Sequence, residues 1–157
     1  MSTYSPTSPL PGATQTGFTS PTYTLTSDVA PGPNGIQHAV TALGGTQPAT
    51  VDVHSVSRPF TLTAIRPAVL RTLGAPNPAT GVIARVPMNR WKVITRKGVT
   101  PLDGQASRTM LITTIIEVPA GADTDDPDNV RAALSAHVGL LDDQSTTLGD
   151  SLNSGVL

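Results

Sequence analysis

The sequence predicts an α+β protein built on an antiparallel sheet. Two observations carry that class: short β-prone runs divided by turn chemistry fill residues 22–119, and the helical patterns come after the strands instead of between them. A third observation is the thinness of the core. Of 157 residues, 38% are hydrophobic and only Tyr4, Phe18, Tyr23, Phe60 and Trp91 are aromatic, against fifteen prolines and fourteen glycines. One domain fits this length. A core so small is marginal alone, so burial against a partner subunit is expected.

Residues 1–21 are rich in Ser, Thr, Pro and Gly and carry no charge, so the segment reads as extended or disordered. The domain proper is read over 22–157. "TYTLTS" (22–27) is β-prone, "DVAPGPNG" (28–35) is dense turn chemistry, and "IQHAVTAL" (36–43) is again a strand; together they predict a hairpin over 22–43. The sheet is then expected over 49–119. "ATVDVHSV" (49–56) and "RPFTLTAI" (58–65) alternate with period two, "GVIARV" precedes Pro87 as a short strand, and "RTMLITTIIEVP" (108–119) is the longest β-branched run. A helix starts at the Asp126 N-cap, with Pro127 in the first helical position and Asp128 where the dipole favours an anion. Val130, Ala133, Leu134, His137, Val138 and Leu141 form its apolar stripe, and a second short helix is read over 143–152.

The net charge of −1 conceals a polarity. Residues 1–116 hold nine Lys/Arg and three acids, whereas residues 117–157 hold one Arg and eight acids. Segment 58–108 alone carries nine bases and one acid. Within it, "NRWKVITRKGV" (89–99) alternates as a strand. Trp91, Val93, Thr95 and Lys97 occupy one face, and Arg90, Lys92, Ile94 and Arg96 the other. The first face suits burial under a helix. The second is an electrostatic footprint for phosphates, to which His54, Arg66 and Arg108 add if register permits. The alternative is an edge strand using cations against aggregation.

Catalysis has little to stand on. His38, His54 and His137 lie in separate elements without metal-ligand spacing, and no nucleophile elbow, phosphate-cradling loop or dinucleotide fingerprint occurs. Asp123, Asp125, Asp126 and Asp128 resemble the start of a calcium loop but lack its central Gly and closing Glu. No metal, cofactor or small-molecule substrate is therefore expected. There is no cysteine, no apolar run of the roughly 20 residues that span a bilayer, and no secretory signal pattern, so a soluble protein without a membrane partner is expected.

The run from "NRWKVITRKGV" through "RTMLITTIIEVPAGADTDDPDNVRAALSAHVGLL" to the C-terminus resembles the coat proteins of single-stranded RNA bacteriophages of the levivirus type. The similar features are a strand ending in "RKG", a long strand closing in "VPAG", an acidic turn, "VRAALS" and a Gly-containing tail. The resemblance covers about residues 58–157; the Ser/Thr/Pro-rich first 20 residues depart from the family's short N-termini. It implies an N-terminal hairpin, a five-stranded antiparallel sheet and two C-terminal helices. It further implies an interlocked homodimer in which each helix pair lies over the partner's sheet, giving one ten-stranded sheet. Val130, Leu134, Val138, Leu141 and Trp91 would form that interface. Dimers would build a small icosahedral shell, T=3 by expectation, with loop Thr100–Ser107 at its five-fold and quasi-six-fold axes. The shell would package single-stranded RNA in the bacterial host cytoplasm, and the protein would bind a genomic hairpin as translational repressor. Arg90, Lys92 and Arg96 are the leading RNA contacts, with Lys97, Arg108 and His54 behind them. The rival reading is a non-capsid, dimeric RNA-binding regulator.

Overall fold

A computed structural model describes residues 4–156. All its strands join one antiparallel sheet in chain order: β1 (Leu10–Pro11), β2 (Ser20–Asp28), β3 (Gly35–Thr46), β4 (Phe60–Ile65), β5 (Met88–Val99) and β6 (Arg108–Pro119). Three helices follow, α1 (Ala122–Asp125), α2 (Pro127–Asp143) and α3 (Ser145–Ser154). The α+β class and its antiparallel sheet are as the sequence indicates.

The strand inventory differs from the expected separate hairpin and five-stranded sheet. The hairpin β2–β3 is part of the sheet itself, and β1 brings the total to six strands. Residues 49–56 form no strand. Their alternation buries no face: Val53 and Val56 are exposed, Val51 N–H closes a turn onto Pro48 O, and Ser55 closes another with Arg58. One sheet-like bond, His54 N–H to Val40 O, remains at 2.8 Å. "GVIARV" is likewise consumed by turns, with Gly81 N–H bonded to Asn77 O and Asn77 N–H to Val82 O. Two helices were expected and three form. The short α1 is an added turn between β6 and α2, set off by Gly121 at φ 93°. Pro127 opens α2 as expected, but the Asp126 carboxylate caps it indirectly, accepting from Asn129 Nδ2 at 2.8 Å instead of from a backbone amide.

The start of the chain is extended and engaged. β1 pairs with β2, and Ser8 Oγ accepts from Leu25 N–H at 2.9 Å. Beyond β1, Gln15 Nε2 donates to Ser145 O at 2.6 Å and Thr16 Oγ1 donates to the Asp150 carboxylate at 2.9 Å. Thr146 Oγ1 donates to Thr14 O at 3.0 Å. Residues 14–16 thus strap α3. Residues 1–3 and 157 of the expected segments lie outside the described residues.

Local backbone choices make this pairing possible. Gly45 sits at φ 69° against β2, where an added Cβ would stand 1.7 Å from Ser20 O. Only a glycine permits that approach. The interior stays small: among the described residues the buried hydrophobics are Ala39, Val40, Ile94 and Ala120. No residue of α2 other than its half-covered positions is shielded, and Leu134, Val138 and Leu141 are exposed.

Candidate nucleic-acid interface

Register assigns every strand residue to a face, because cross-strand partners share one. Arg96 stands opposite Thr61 and Leu111, Lys92 opposite Ile65 and Ile115, and Arg90 opposite Glu117. Arg90, Lys92 and Arg96 therefore form a row on one face, separated only by the buried Ile94. β5 pairs on both sides, with β4 and β6. Protection of a free edge does not account for its cations.

Each cation is held differently. Arg96 donates to Thr63 Oγ1 at 3.2 Å, and the Thr63 hydroxyl donates in turn to Gln37 Oε1 at 2.8 Å. This relay runs from β5 through β4 to β3 and aims the guanidinium from a rigid support. Thr63 is fully buried, so the relay satisfies a hydroxyl that would otherwise be costly. Neither Thr63 nor Gln37 stands out in the sequence, since only strand register brings them under Arg96. Arg90 pairs with the Glu117 carboxylate through Nε at 2.7 Å and through Nη2. Both side chains are about half exposed, so solvent screens the pair and leaves it open to competition from another anion. Lys92 is half-buried. Long cationic stems commonly lie on apolar surface while the charge reaches water.

The other three expected contacts are placed elsewhere. Lys97 stands opposite Phe60 and Met110, on the Trp91 face. Its ammonium donates to Asp52 O at 2.7 Å and lies 4.7 Å from the Phe60 ring centre. Burial pushes its pKa below the ordinary lysine value, partly offset by Asp52. Arg108 stands opposite Val99, on that same face at the far end of β6. His54 lies in the 49–59 loop, where its Nδ1 accepts from Phe60 N–H at 3.0 Å. The register thus gathers Arg90, Lys92 and Arg96 and separates them from Lys97, Arg108 and His54.

The Trp91 face and the β6 edge are the least covered parts of the sheet. Leu111, Ile112 and Ile115 of β6 are each more than half exposed. Between this edge and α2 runs an apolar cleft of about 450 Å³, whose walls include Ile116, Val118, Val130, Leu134 and His137. Val130 and Leu134 of the expected interface meet there. Val138 and Leu141 continue the stripe along α2, while Trp91 lies across the sheet beside Ile116. Among the described residues no group of three His, Cys, Asp or Glu side chains is assembled to hold a metal ion.

No protein-family model matches the sequence, and no curated protein matches it. Among solved structures, the chain is similar to the subunit of the virus-like particle of bacteriophage ESE020. Identity is 55%, coverage is 99% of this chain and 100% of that one, and the TM-score is 0.95. A virus-like particle of Wenzhou levi-like virus 4 gives 19% identity, 74% and 67% coverage and a TM-score of 0.43. Similarity that spans the whole chain at the first of these levels fixes the family: the protein is a structural component of a virion, not an enzyme, and belongs to the levivirus-type coat proteins of RNA bacteriophages.

Proposed function

We propose that this coat protein forms interlocked homodimers, closes them into a small icosahedral shell of T=3 geometry and packages single-stranded RNA in the cytoplasm of its bacterial host. The observation that carries the dimer is the bare helix stripe beside an open strand edge. α2 has no buried residue, and β6 has a neighbour on one side only. A long, apolar, exposed strand edge is an aggregation hazard unless something pairs with it. A second β6 laid against the first, with the helices crossing over, would cover the edge and the stripe together. Val130, Leu134, Val138, Leu141 and Trp91 are the interface residues of this reading.

The row Arg90, Lys92 and Arg96 is the RNA-contacting set. Phosphate contacts supply affinity without sequence information, so packaging by this row is general and salt-dependent. Repression through a genomic hairpin would need unpaired bases held by stacking or in pockets, and the row has no aromatic neighbour on its own face of β5. Lys97 and His54 act in this reading as supports of the 49–59 loop, and Arg108 stands apart from the row on the Trp91 face.

The test is expression of the chain alone in bacteria, followed by negative-stain microscopy and ultraviolet absorbance. Uniform spherical particles with nucleic-acid absorbance are expected. The combined R90S/K92S/R96S variant should form particles with much less RNA. Unchanged RNA content would reject the row, and a soluble dimer that never forms particles would reject the shell.

A further inference from the structure

β4 ends at Ile65, opposite Lys92, so the first residues of β5 have no β4 neighbour. The chain of the 66–87 loop takes that place. Asn89, only 6% exposed, holds it there: its Oδ1 accepts from Arg71 N–H at 2.8 Å and its Nδ2 donates to Arg71 O at 3.0 Å. The other end of the loop is fixed as well, since Pro87 O accepts from Ala120 N–H at 2.9 Å. Between these anchors lies a cleft of about 540 Å³ whose walls include Arg71, Arg85, Arg90 and Glu117. Three arginines thus line one concavity with a single acidic residue, Glu117, whose carboxylate is already engaged with Arg90.

Like charges brought together without compensation cost free energy, and nothing in the local packing requires them. The arginines' side chains are exposed, and neither Arg71 nor Arg85 is engaged in a side-chain hydrogen bond or ion pair among the described residues. What would stabilise the cluster is an anion whose geometry suits planar, forked donors; carboxylate and phosphate both do, and phosphate is the one that the proposed RNA cargo supplies. Arg90 belongs both to this cleft and to the row on β5, so the cleft continues the row past the end of the strand.

We infer that Arg71, Arg85 and Arg90 form a second phosphodiester-binding site, which carries the RNA backbone from the sheet face onto the 66–87 loop. Glu117 occupies Arg90 when no RNA is present and is displaced by phosphate. The inference rests on the RNA-packaging reading and extends it to two arginines outside the sheet.

The probe is an unstructured oligouridylate, and the measurement is its affinity for the full-length chain across a salt series. Each phosphate neutralised on a single strand contributes about 0.7 to the slope of log K against log salt. R71Q/R85Q should weaken binding several-fold and reduce that slope by about 1.4. E117Q should tighten binding, since it frees Arg90. An unchanged melting temperature in both variants separates these effects from misfolding, as all three side chains lie on the surface. If K92S/R96S weakens binding while R71Q/R85Q leaves affinity and slope unchanged, the cleft is wrong and the row stands. Failure of the wild-type chain to bind the oligomer would reject both. Binding of inorganic phosphate that R71Q/R85Q abolishes, with oligomer affinity untouched, would make the cleft a small-anion site and overturn the inference.

Discussion

The two edges of the sheet are finished in opposite ways. At the β1 edge the chain covers itself. β1 and Ser8 close onto β2, the Tyr23 and Phe60 rings meet edge-to-face at 5.6 Å, and residues 14–16 reach over to α3. At the β6 edge no further strand pairs among the described residues, and large aliphatic side chains stay in solvent. The N-terminal residues close one edge, and the other is the edge that the proposed second copy would cover. The difference teaches that exposure here is a matter of location. Uncovered apolar side chains lie along β6 and along α2, and the two elements share an apolar cleft, which is the pattern of an interface.

That contrast can be broken most directly on the open side. L134D/V138D places two carboxylates in the apolar stripe of α2, where a partner would bury them. Burying unpaired charge costs several kcal/mol, so dimers and particles should be lost while the chain itself stays folded. Size-exclusion chromatography with circular dichroism reads both. Particles of normal size would show that the stripe is not an interface. The closed side has its own weak point at Gly45. An alanine there must adopt a left-handed backbone and push against Ser20 O, so G45A should cost about 2–4 kcal/mol of stability. Thermal melting measures this, and a change of a few tenths would mean that β2 and β3 part easily.

The smallest effect sharpens the comparison within β5. Lys97 is partly buried among Phe60 and Asp52 and its folded-state pKa lies below the ordinary value. The folded state therefore binds this proton less tightly than the unfolded state does. Its burial opposes folding while the amine is charged, and that opposition fades as pH rises from the folded pKa toward 10.5. K97M loses the hydrogen bond and the ring contact but also the desolvation, so at neutral pH its stability should lie within about 1 kcal/mol of wild type. On raising the pH from about 8 to about 10.5, wild type should gain relative to K97M. A constant difference across that range would remove Lys97 from the buried set, and its RNA affinity would then need testing beside that of Lys92.

Much of this was legible in the residues, and the misses have physical causes. β6 has the limits that the sequence predicts and β5 starts one residue earlier, because β-branched runs and strict alternation are strong local signals. The cation row followed from period-two geometry alone. Residues 49–56 alternate just as well, yet a strand also needs a neighbour free to pair along its length. Here the turns at Pro48 and Ser55 and the ion pair of Arg58 with Asp52 fold the segment up instead. The side of Arg108 depended on a register that the sequence does not state. Arg71 and Arg85 looked like two bases in a Pro-rich loop, and only the clamp from Asn89 brings Arg71 beside Arg90. The low-complexity composition of residues 1–21 concealed Gln15 and Thr16, whose partners lie more than 120 residues away.

Those partners also impose a timetable. Gln15 leaves the ribosome 130 residues before Ser145, and Thr16 leaves 134 before Asp150. Gly149 leaves room for the Gln15 amide, since a Cβ at that position would fall 2.0 Å from its oxygen. Sheet pairing between neighbours in the chain can begin during synthesis, but the strap has nothing to grip until α3 emerges. The strap therefore closes only after α3 has emerged. A nascent chain that has not yet exposed α3 carries residues 14–16 without their partners.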